Sequence, residues 1–164
     1  MTIDDVNSRD RAGFVEAVGF VFEDSPWVAE RAWARRPFAT IDALQDAMVS
    51  EVASATAEEQ LALLRAHPDL GAGSPKMSDA SKREQMRAGL DGLSRPHLER
   101  LTALNAAYRD KFGFPFLYAV RGATKEDILN ALEKRLLATR GAELEEALRQ
   151  VYRIARFRVE GLFS

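Results

Sequence analysis

Apolar residues recur every three or four positions along almost the whole chain. This spacing is typical of amphipathic helices that bury one side. Helix-capping residues mark several starts, at Ser25 directly before Pro26, at Thr40, at Thr56 with Glu59 three residues later, at Ser94 and at Thr124. The pattern predicts helices over about residues 8–22, 26–37, 40–52, 56–66, 79–90, 94–112, 124–139 and 141–162.

One stretch, FPFLYAV at residues 114–120, lacks helical spacing. It has the composition of a buried strand, but a single strand has nothing to pair with, so we expect an extended internal segment. No repeat, low-complexity tract or linker divides the chain. We therefore predict an all-α fold, a single domain over residues 1–164 built as a bundle of seven to nine helices.

The composition is that of a globular protein, with 46% hydrophobic and 29% charged residues. The 25 acidic and 23 basic residues are mixed along the chain and give a net charge of −2. Because no basic stripe is present, we do not expect nucleic-acid binding. No apolar run is long enough to span a membrane and the polar start MTIDDVNSRD is unlike a secretory signal, so we expect a cytoplasmic protein.

The residue types present exclude several kinds of chemistry. The chain has no cysteine, which excludes disulfides, thiolate metal ligands and a thiol nucleophile. The two histidines, His67 and His97, are far apart in the chain and neither belongs to an HExxH motif, which argues against a zinc site. A glycine-rich phosphate loop and a GxS-type nucleophile elbow are also missing. We interpret His97 as a surface residue and expect cofactor-free acid–base or electrostatic chemistry on a small anion, with no metal.

His67 stands directly before Pro68. The helix over 56–66 has to end there, because a residue that precedes proline is disfavoured in helical conformation. The partial negative charge at a helix C-terminus favours a protonated imidazole, and glycines at 71 and 73 would let the main chain approach a small ligand. His67 either takes part in chemistry or hydrogen-bonds the last carbonyls of the helix, and the local sequence leaves both interpretations open.

The predicted helix SDASKREQMRAGL, residues 78–90, places Ser81, Glu84 and Gln85 on one face, opposite the apolar Met86. A hydroxyl, a carboxylate and an amide aligned in this way could bind a ligand rich in N–H and C=O groups. A polar helix face usually points into solvent, however, and the pattern alone favours that interpretation.

Arg158 falls inside the apolar stripe of the last predicted helix. A guanidinium on an inward face is costly unless an anion meets it, and its planar fork suits a carboxylate. The alternative is that this long side chain reaches solvent past the helix end. We favour the anion-binding interpretation. The apolar positions that define the stripe are Leu144, Leu148, Val151, Ala155 and Leu162.

Several sequence blocks go further than periodicity. In chain order they are SPWVAERAW, AHPDLG, SKREQ with AGLDGLS behind it, LNAAYRDKFGFPFLYAVRG and RIARFRVEGL. Together they resemble the 2-oxo-4-hydroxy-4-carboxy-5-ureidoimidazoline (OHCU) decarboxylases of urate degradation, from about Phe14 to Leu162. The resemblance implies an all-helical, usually homodimeric, cofactor-free carboxy-lyase that converts OHCU to S-allantoin and CO2, the last step of urate conversion to allantoin.

The resemblance also implies the site residues. The histidine of HPD corresponds to His67 and the glutamate of SxxEQ to Glu84, which are the expected catalytic residues. The segment over 116–120 contacts the ligand through its main chain in this family, and the arginine of the closing block corresponds to Arg158. The residues implied to bind substrate are Pro68, Ser81, Glu84, Gln85, Phe116, Leu117, Tyr118, Ala119, Val120 and Arg158.

Two alternatives remain at the level of sequence. A decarboxylase or hydrolase of a related ureido acid would keep the same polar residues and differ in its pocket lining. A catalytically silent helical interaction module would keep the fold alone. The presence of His67, Glu84 and Arg158 together argues against the module, because a binding scaffold has no need of all three.

Overall fold

The computed structural model describes residues 1–71 and 77–164. Its regular structure is helical and this part of the chain contains no strand, so the all-α prediction is confirmed. Short 3-10 turns at Gly19–Val21 and Trp33–Arg35 follow the second and third α-helices. The α-helices within the described residues number nine, which lies within the predicted range: α1 Ile3–Asn7, α2 Arg11–Val18, α3 Trp27–Ala32, α4 Ile41–Ala53, α5 Ala57–Ala66, α6 Asp79–Arg87, α7 Arg95–Phe112, α8 Lys125–Arg135 and α9 Arg140–Phe163.

Four of the predicted caps start the helices that they were expected to start, namely Thr40, Thr56, Ser94 and Thr124. The Thr40 side chain accepts a hydrogen bond from the N–H of Ala43 at 3.1 Å at the start of α4. Thr56 and Glu59 each accept the other's main-chain N–H at 3.1 Å, which confirms the capping box before α5. At the other end of a helix, Gly113 stops α7 in the left-handed conformation with a φ of 81°.

Some helix boundaries differ from the prediction. Periodicity does not predict α1, since five residues are too few to show a repeat, yet a capping box of Thr2 with Asp5 starts it. The last residue of α6 is Arg87 and that of α8 is Arg135, so both helices end a few residues before their predicted ends. The start of α1 is determined by its capping box, which the apolar spacing does not indicate.

Ser25 is not the cap of α3 that its position before a proline predicts. The helix begins at Trp27, preceded by Pro26, and no side chain caps it. The Ser25 hydroxyl instead donates to the carbonyl of Glu23 at 2.8 Å. The serine therefore closes the turn before the helix.

The chain forms two compact units. Unit 1 comprises Met1–Ala66 together with Tyr152–Ser164, and unit 2 comprises His67–Val151. Helix α9 contributes to both, because it runs from Arg140 to Phe163. The largest buried apolar side chains of unit 1 are Phe14, Phe22, Leu44, Met48, Leu63 and Leu64. Those of unit 2 are Tyr108, Phe112, Phe114, Phe116, Ile128 and Leu132.

The stretch over 115–120 in unit 2 is neither helix nor strand, which confirms the predicted non-helical internal segment. It follows directly on the turn at the end of α7, and Phe114 and Phe116 are fully buried. Across the described ranges, none of the helices has both the length and the apolarity that crossing a bilayer requires.

Candidate active site

His67 is the first residue of unit 2 and follows α5 without a break. It is buried, with 5% of its surface exposed. The helix stops at Ala66, as the proline at position 68 predicts. The imidazole is thus placed by a helix end inside the protein and does not lie in a solvated loop.

Helix α7 holds the two residues that come after the HP pair. Arg109 forms an ion pair with Asp69, with 2.9 Å between Nη2 and Oδ1. The side-chain amide of the buried Asn105 donates to the carbonyl of Leu70 at 3.0 Å. These contacts fix the main chain immediately after the histidine.

Gly71 continues this fixed stretch. Its φ is +78°, a conformation that glycine adopts without strain, and a Cβ at this position would lie 2.8 Å from Cδ2 of Leu101. Its N–H donates to Oε1 of Gln85 at 2.8 Å, which joins the loop after His67 to α6. Gly71 is therefore needed for close packing against Leu101, and its approach to a small ligand stays a prediction, while Gly73 and the rest of residues 72–76 lie outside the described residues.

Helix α6 buries its polar side. Ser81 and Gln85 are 5% and 7% exposed and Glu84 is half-buried, whereas Met86 on the opposite side is 59% exposed. The interpretation that this polar face points into solvent is wrong. Burying polar groups costs free energy unless they are hydrogen-bonded. These side chains therefore bind polar partners inside unit 2, as Gln85 does with the N–H of Gly71.

The segment over 116–120 is held from two sides within unit 2. The guanidinium of Arg135 donates to the carbonyl of Leu117, and the N–H of Ala119 donates to Oε1 of Gln150 at 2.9 Å. All five residues of the segment are buried except Tyr118, which is half-buried. The ring of Phe116 stacks on that of Tyr118, with 5.9 Å between centroids.

A buried polar cluster surrounds the Arg135 guanidinium. Glu143 is 3% exposed and accepts hydrogen bonds from the Tyr108 hydroxyl at 2.6 Å and from Nε of Arg135 at 2.7 Å. Burial raises the pKa of Tyr108 well above its ordinary value, and the hydrogen bond to Glu143 raises it further. The phenol therefore stays a hydrogen-bond donor throughout the physiological pH range.

Arg158 is buried in unit 1, as its position in the apolar stripe predicts. Its residue is 6% exposed, so the alternative in which the side chain reaches solvent past the helix end is wrong. Nη2 lies 2.9 Å from the carboxylate of Glu23 and Nη1 donates to the carbonyl of Phe20 at 3.1 Å. An anion does meet this guanidinium, and within unit 1 that anion is a side chain of the protein.

His97 is partly exposed in the first turn of α7, as expected for a surface residue. Its Nδ1 lies 2.6 Å from the Ser94 hydroxyl, and its Nε2 lies 4.0 Å from the carboxylate of Glu126. In the part of the chain that the structure describes, no group of three or more histidine, aspartate or glutamate side chains is placed to hold a metal ion.

Sequence reasoning missed several of the residues that support these side chains. Asn105 has a recognisable signal, because it is a polar residue in the otherwise apolar buried stripe of Leu101, Tyr108 and Phe112. Glu23, Arg135 and Gln150 have no comparable signal. Each of them acts on a partner far along the chain, and no local spacing indicates which partner that is.

Comparison with known proteins agrees with the sequence blocks. The family model for OHCU decarboxylase matches residues 7–160. A 2-oxo-4-hydroxy-4-carboxy-5-ureidoimidazoline decarboxylase of Halalkalicoccus jeotgali is 48% identical over 162 residues, which is 99% of this chain and 92% of that protein.

Two solved structures are also similar. An (S)-allantoin synthase matches with a TM-score of 0.78 and 35% identity over 99% of this chain and 54% of that one, so this chain spans about half of its length. An OHCU decarboxylase solved in the presence of (S)-allantoin matches with a TM-score of 0.70 and 25% identity, over 84% of this chain and 90% of that one. Since the family model and a 48% identical relative both cover nearly the whole sequence, the chain belongs to the OHCU decarboxylase family.

Proposed function

We propose that this protein decarboxylates OHCU to S-allantoin and CO2 without a cofactor. The observation that carries the proposal is the inverted burial of α6, which turns Ser81, Glu84 and Gln85 inward and leaves Met86 exposed. The family to which the chain belongs and the relative named as an OHCU decarboxylase support the same reaction.

The reaction determines what the site must supply. When the bond to the carboxylate breaks and CO2 leaves, the electron pair stays behind and is delocalised into the imidazoline ring. A proton must then arrive on one face of that ring, because the product has a single configuration. The site therefore needs an anchor for an anionic substrate, a group that moves a proton near neutral pH, and donors for the charge that develops on the ring.

We assign proton transfer to His67. An imidazole changes charge near neutral pH, and this one is buried where bulk water does not compete for its proton. Two tasks suit Glu84, which lies on the same helix face as Ser81 and Gln85. Its carboxylate can orient the imidazole or the substrate hydroxyl, and its negative charge can repel the carboxylate group that leaves as CO2.

We assign substrate binding to the remaining residues that match the family blocks. Oε1 of Gln85 is occupied by the N–H of Gly71, so its amide NH2 is the group left to donate to the ureido carbonyl. Ser81 binds the ureido group beside it, Pro68 lines the site next to His67, and Arg158 anchors the substrate carboxylate. The main chain of Phe116, Leu117, Tyr118, Ala119 and Val120 supplies hydrogen bonds to the ring.

The test is to supply freshly generated OHCU and to follow the circular dichroism of the product. Rapid appearance of S-allantoin supports the proposal. Spontaneous decay at an unchanged rate supports the silent module, and turnover of another ureido acid alone supports the related enzyme. Either of these two results contradicts the proposed function.

We further propose that the enzyme acts as a cytoplasmic homodimer, as the resemblance to the family implies. Light scattering coupled to size-exclusion chromatography tests the dimer. The expected mass is twice the 18.3 kDa of one chain. A mass of one chain at working enzyme concentration would contradict it.

A further inference from the structure

The non-helical segment over 116–120 is held by its main chain, and the holding side chains come from two helices. Arg135 is the last residue of α8, and Gln150 lies in the part of α9 that belongs to unit 2. The carbonyl of Leu117 accepts a hydrogen bond from Arg135, and the N–H of Ala119 donates one to Gln150. An irregular segment lacks the regular main-chain hydrogen bonds of a helix or sheet, so these two contacts hold its main chain in place.

Arg135 is itself immobilised. Its side chain is 11% exposed and forms an ion pair with Glu143, whose side chain is 4% exposed, at 2.7 Å. Its guanidinium also lies over the ring of Phe116, 4.6 Å from the centroid. A buried charge that is fixed by a carboxylate, a carbonyl and an aromatic face has little freedom to move.

Gln150 is fixed as firmly. It is 6% exposed, and its Nε2 donates to Oε1 of Glu146, one helical turn before it, at 2.9 Å. That bond leaves the amide with one orientation, in which Oε1 faces the N–H of Ala119. Glu146 thereby determines which end of the amide meets the segment.

The two contacts leave an unused set of main-chain groups. The Leu117 carbonyl and the Tyr118 N–H belong to one planar trans peptide unit and point in opposite directions, so the bond to Arg135 turns the Tyr118 N–H away from Arg135. The N–H of Val120 is the next one along the chain after the bound N–H of Ala119. Neither of these two N–H groups has a hydrogen-bond partner among the described residues, although Val120 is 6% exposed. Buried N–H groups are nearly always paired, so this pair is suited to a ligand.

We propose that Arg135 and Gln150 are positioning residues that hold Leu117 and Ala119, so that the N–H groups of Tyr118 and Val120 bind an anionic or carbonyl oxygen of the substrate. The inference rests on the proposed function, because it names the residues that arrange the substrate-binding main chain. Neither side chain needs to touch the substrate itself. Donors aimed at developing charge act mainly in the transition state, so misplacing them lowers kcat more than it raises KM.

The first experiment measures kcat and KM with OHCU, together with thermal stability, for three variants. Gln150→Leu removes the acceptor of the Ala119 N–H, and Arg135→Met removes the donor to Leu117. Each is expected to lower kcat about 10- to 100-fold with less than about a threefold change in KM and an unchanged pH profile, since the proton-transfer group is not altered. Arg135→Lys, which keeps a cation with N–H donors but loses the planar fork, should recover part of the loss.

A compensating exchange separates positioning from packing. Gln150→Glu combined with Glu146→Gln keeps an acceptor for Ala119 and keeps a hydrogen bond between positions 146 and 150, with the donor and acceptor reversed. We expect kcat within about threefold of the wild type. Arg149→Met is the matched control, because Arg149 contacts the same Glu146 from the exposed side of α9 and should not affect kcat.

Amide NMR gives a readout that does not depend on any variant folding. When S-allantoin is added to the wild-type enzyme, the amide signals of Tyr118 and Val120 should shift, while the Ala119 amide should stay in place and exchange slowly with solvent. A shift at Ala119 without one at Tyr118 and Val120 would overturn the inference. Full kcat in folded Gln150→Leu and Arg135→Met variants would overturn it as well. A wild-type enzyme that forms no S-allantoin from OHCU would overturn the proposed function instead.

Discussion

The guanidinium of Arg158 and the carboxylate of Glu23 lie 2.9 Å apart, and their side chains are 4% and 3% exposed. The residue that we assign to bind the substrate carboxylate thus already has a carboxylate partner in unit 1. Such a partner fixes the guanidinium at a defined place and keeps its charge compensated when no substrate is bound. The pair makes it possible to test substrate binding separately from stability.

Arg158→Ala is expected to raise KM for OHCU about 10- to 100-fold with little change in kcat, because a charge-assisted contact made in both ground and transition states is lost. It should also lower the free energy of unfolding by about 3–5 kcal/mol, since the buried carboxylate of Glu23 loses the guanidinium that compensates its charge. Steady-state kinetics below the melting temperature and urea unfolding check both values. The control is Glu23→Gln, which breaks the same ion pair but keeps the guanidinium. An equal rise in KM in both variants would show that Arg158 acts through the ion pair and not on substrate.

His67→Asn is expected to lower kcat by about two orders of magnitude or more, the usual scale for a positioned proton-transfer group. The chain provides its own comparison, because the other histidine, His97, is partly exposed in α7. His97→Asn should therefore turn over OHCU at the wild-type rate. Normal turnover in a folded His67→Asn variant would remove this imidazole from the mechanism.

Glu84→Ala should lower kcat to a similar extent, by about 100-fold or more, because either task assigned to the carboxylate is exerted in the transition state. Glu99→Ala is a suitable control, since Glu99 is an exposed carboxylate whose ion-pair partner is Arg95 in the same helix. Product formation followed by circular dichroism measures both variants. If the two carboxylates proved equally dispensable, Glu84 would have no part in the reaction.

Gly71→Ala is expected to destabilise the protein more than Gly122→Ala. Both glycines have φ near +80°, at 78° and 79°, which costs a residue with a side chain about 1–2 kcal/mol. A Cβ at Gly71 also meets Leu101 at 2.8 Å, whereas at Gly122 nothing lies within 4 Å, so overpacking adds about 1–3 kcal/mol at Gly71 alone. Urea midpoints at unchanged m-value measure the difference. Equal midpoints would mean that Leu101 moves aside without cost.

Alkaline pH should destabilise the wild type through Tyr108. Its pKa is raised in the folded state by burial first and by Glu143 second, so the unfolded chain loses the phenolic proton at a lower pH than the folded one. The contribution to stability is complete below pH 10 and declines above it, by up to about 1.4 kcal/mol per pH unit for one proton. Between pH 9 and pH 11 the free energy of unfolding should therefore fall more steeply for the wild type than for Tyr108→Phe. Parallel curves would exclude this linkage.

The parts of the fold that sequence predicts are those determined over a few residues. Thr40 and the N–H of Ala43 that it caps are three positions apart, and so are Thr56 and Glu59. Proline at position 68 acts on the residue before it. Such contacts form with almost any tertiary structure around them, which is why the helix starts can be predicted from local spacing.

The site depends on contacts that span the chain. Glu23 and Arg158 are 135 positions apart, and Ala119 and Gln150 are 31 apart, so no local pattern pairs them. Helix α6 shows a second limit. The usual rule buries the apolar face of a helix, but here the buried face is polar and Gln85 is bound by a main-chain N–H of the preceding loop. Which face turns inward is decided by the partners that a fold provides, and the residue pattern of one helix does not contain them.

Unit 1 is built from the two ends of the sequence, Met1–Ala66 and Tyr152–Ser164, whereas unit 2 is one continuous stretch. A ribosome therefore delivers all of unit 2 before it delivers the final piece of unit 1. Glu23 precedes unit 2 in the chain and Arg158 follows it, so their buried ion pair can form only after the whole of unit 2 has been synthesised. A truncation that removes Arg158 would therefore act on unit 1 at Glu23, a residue that lies on the other side of unit 2 in the chain.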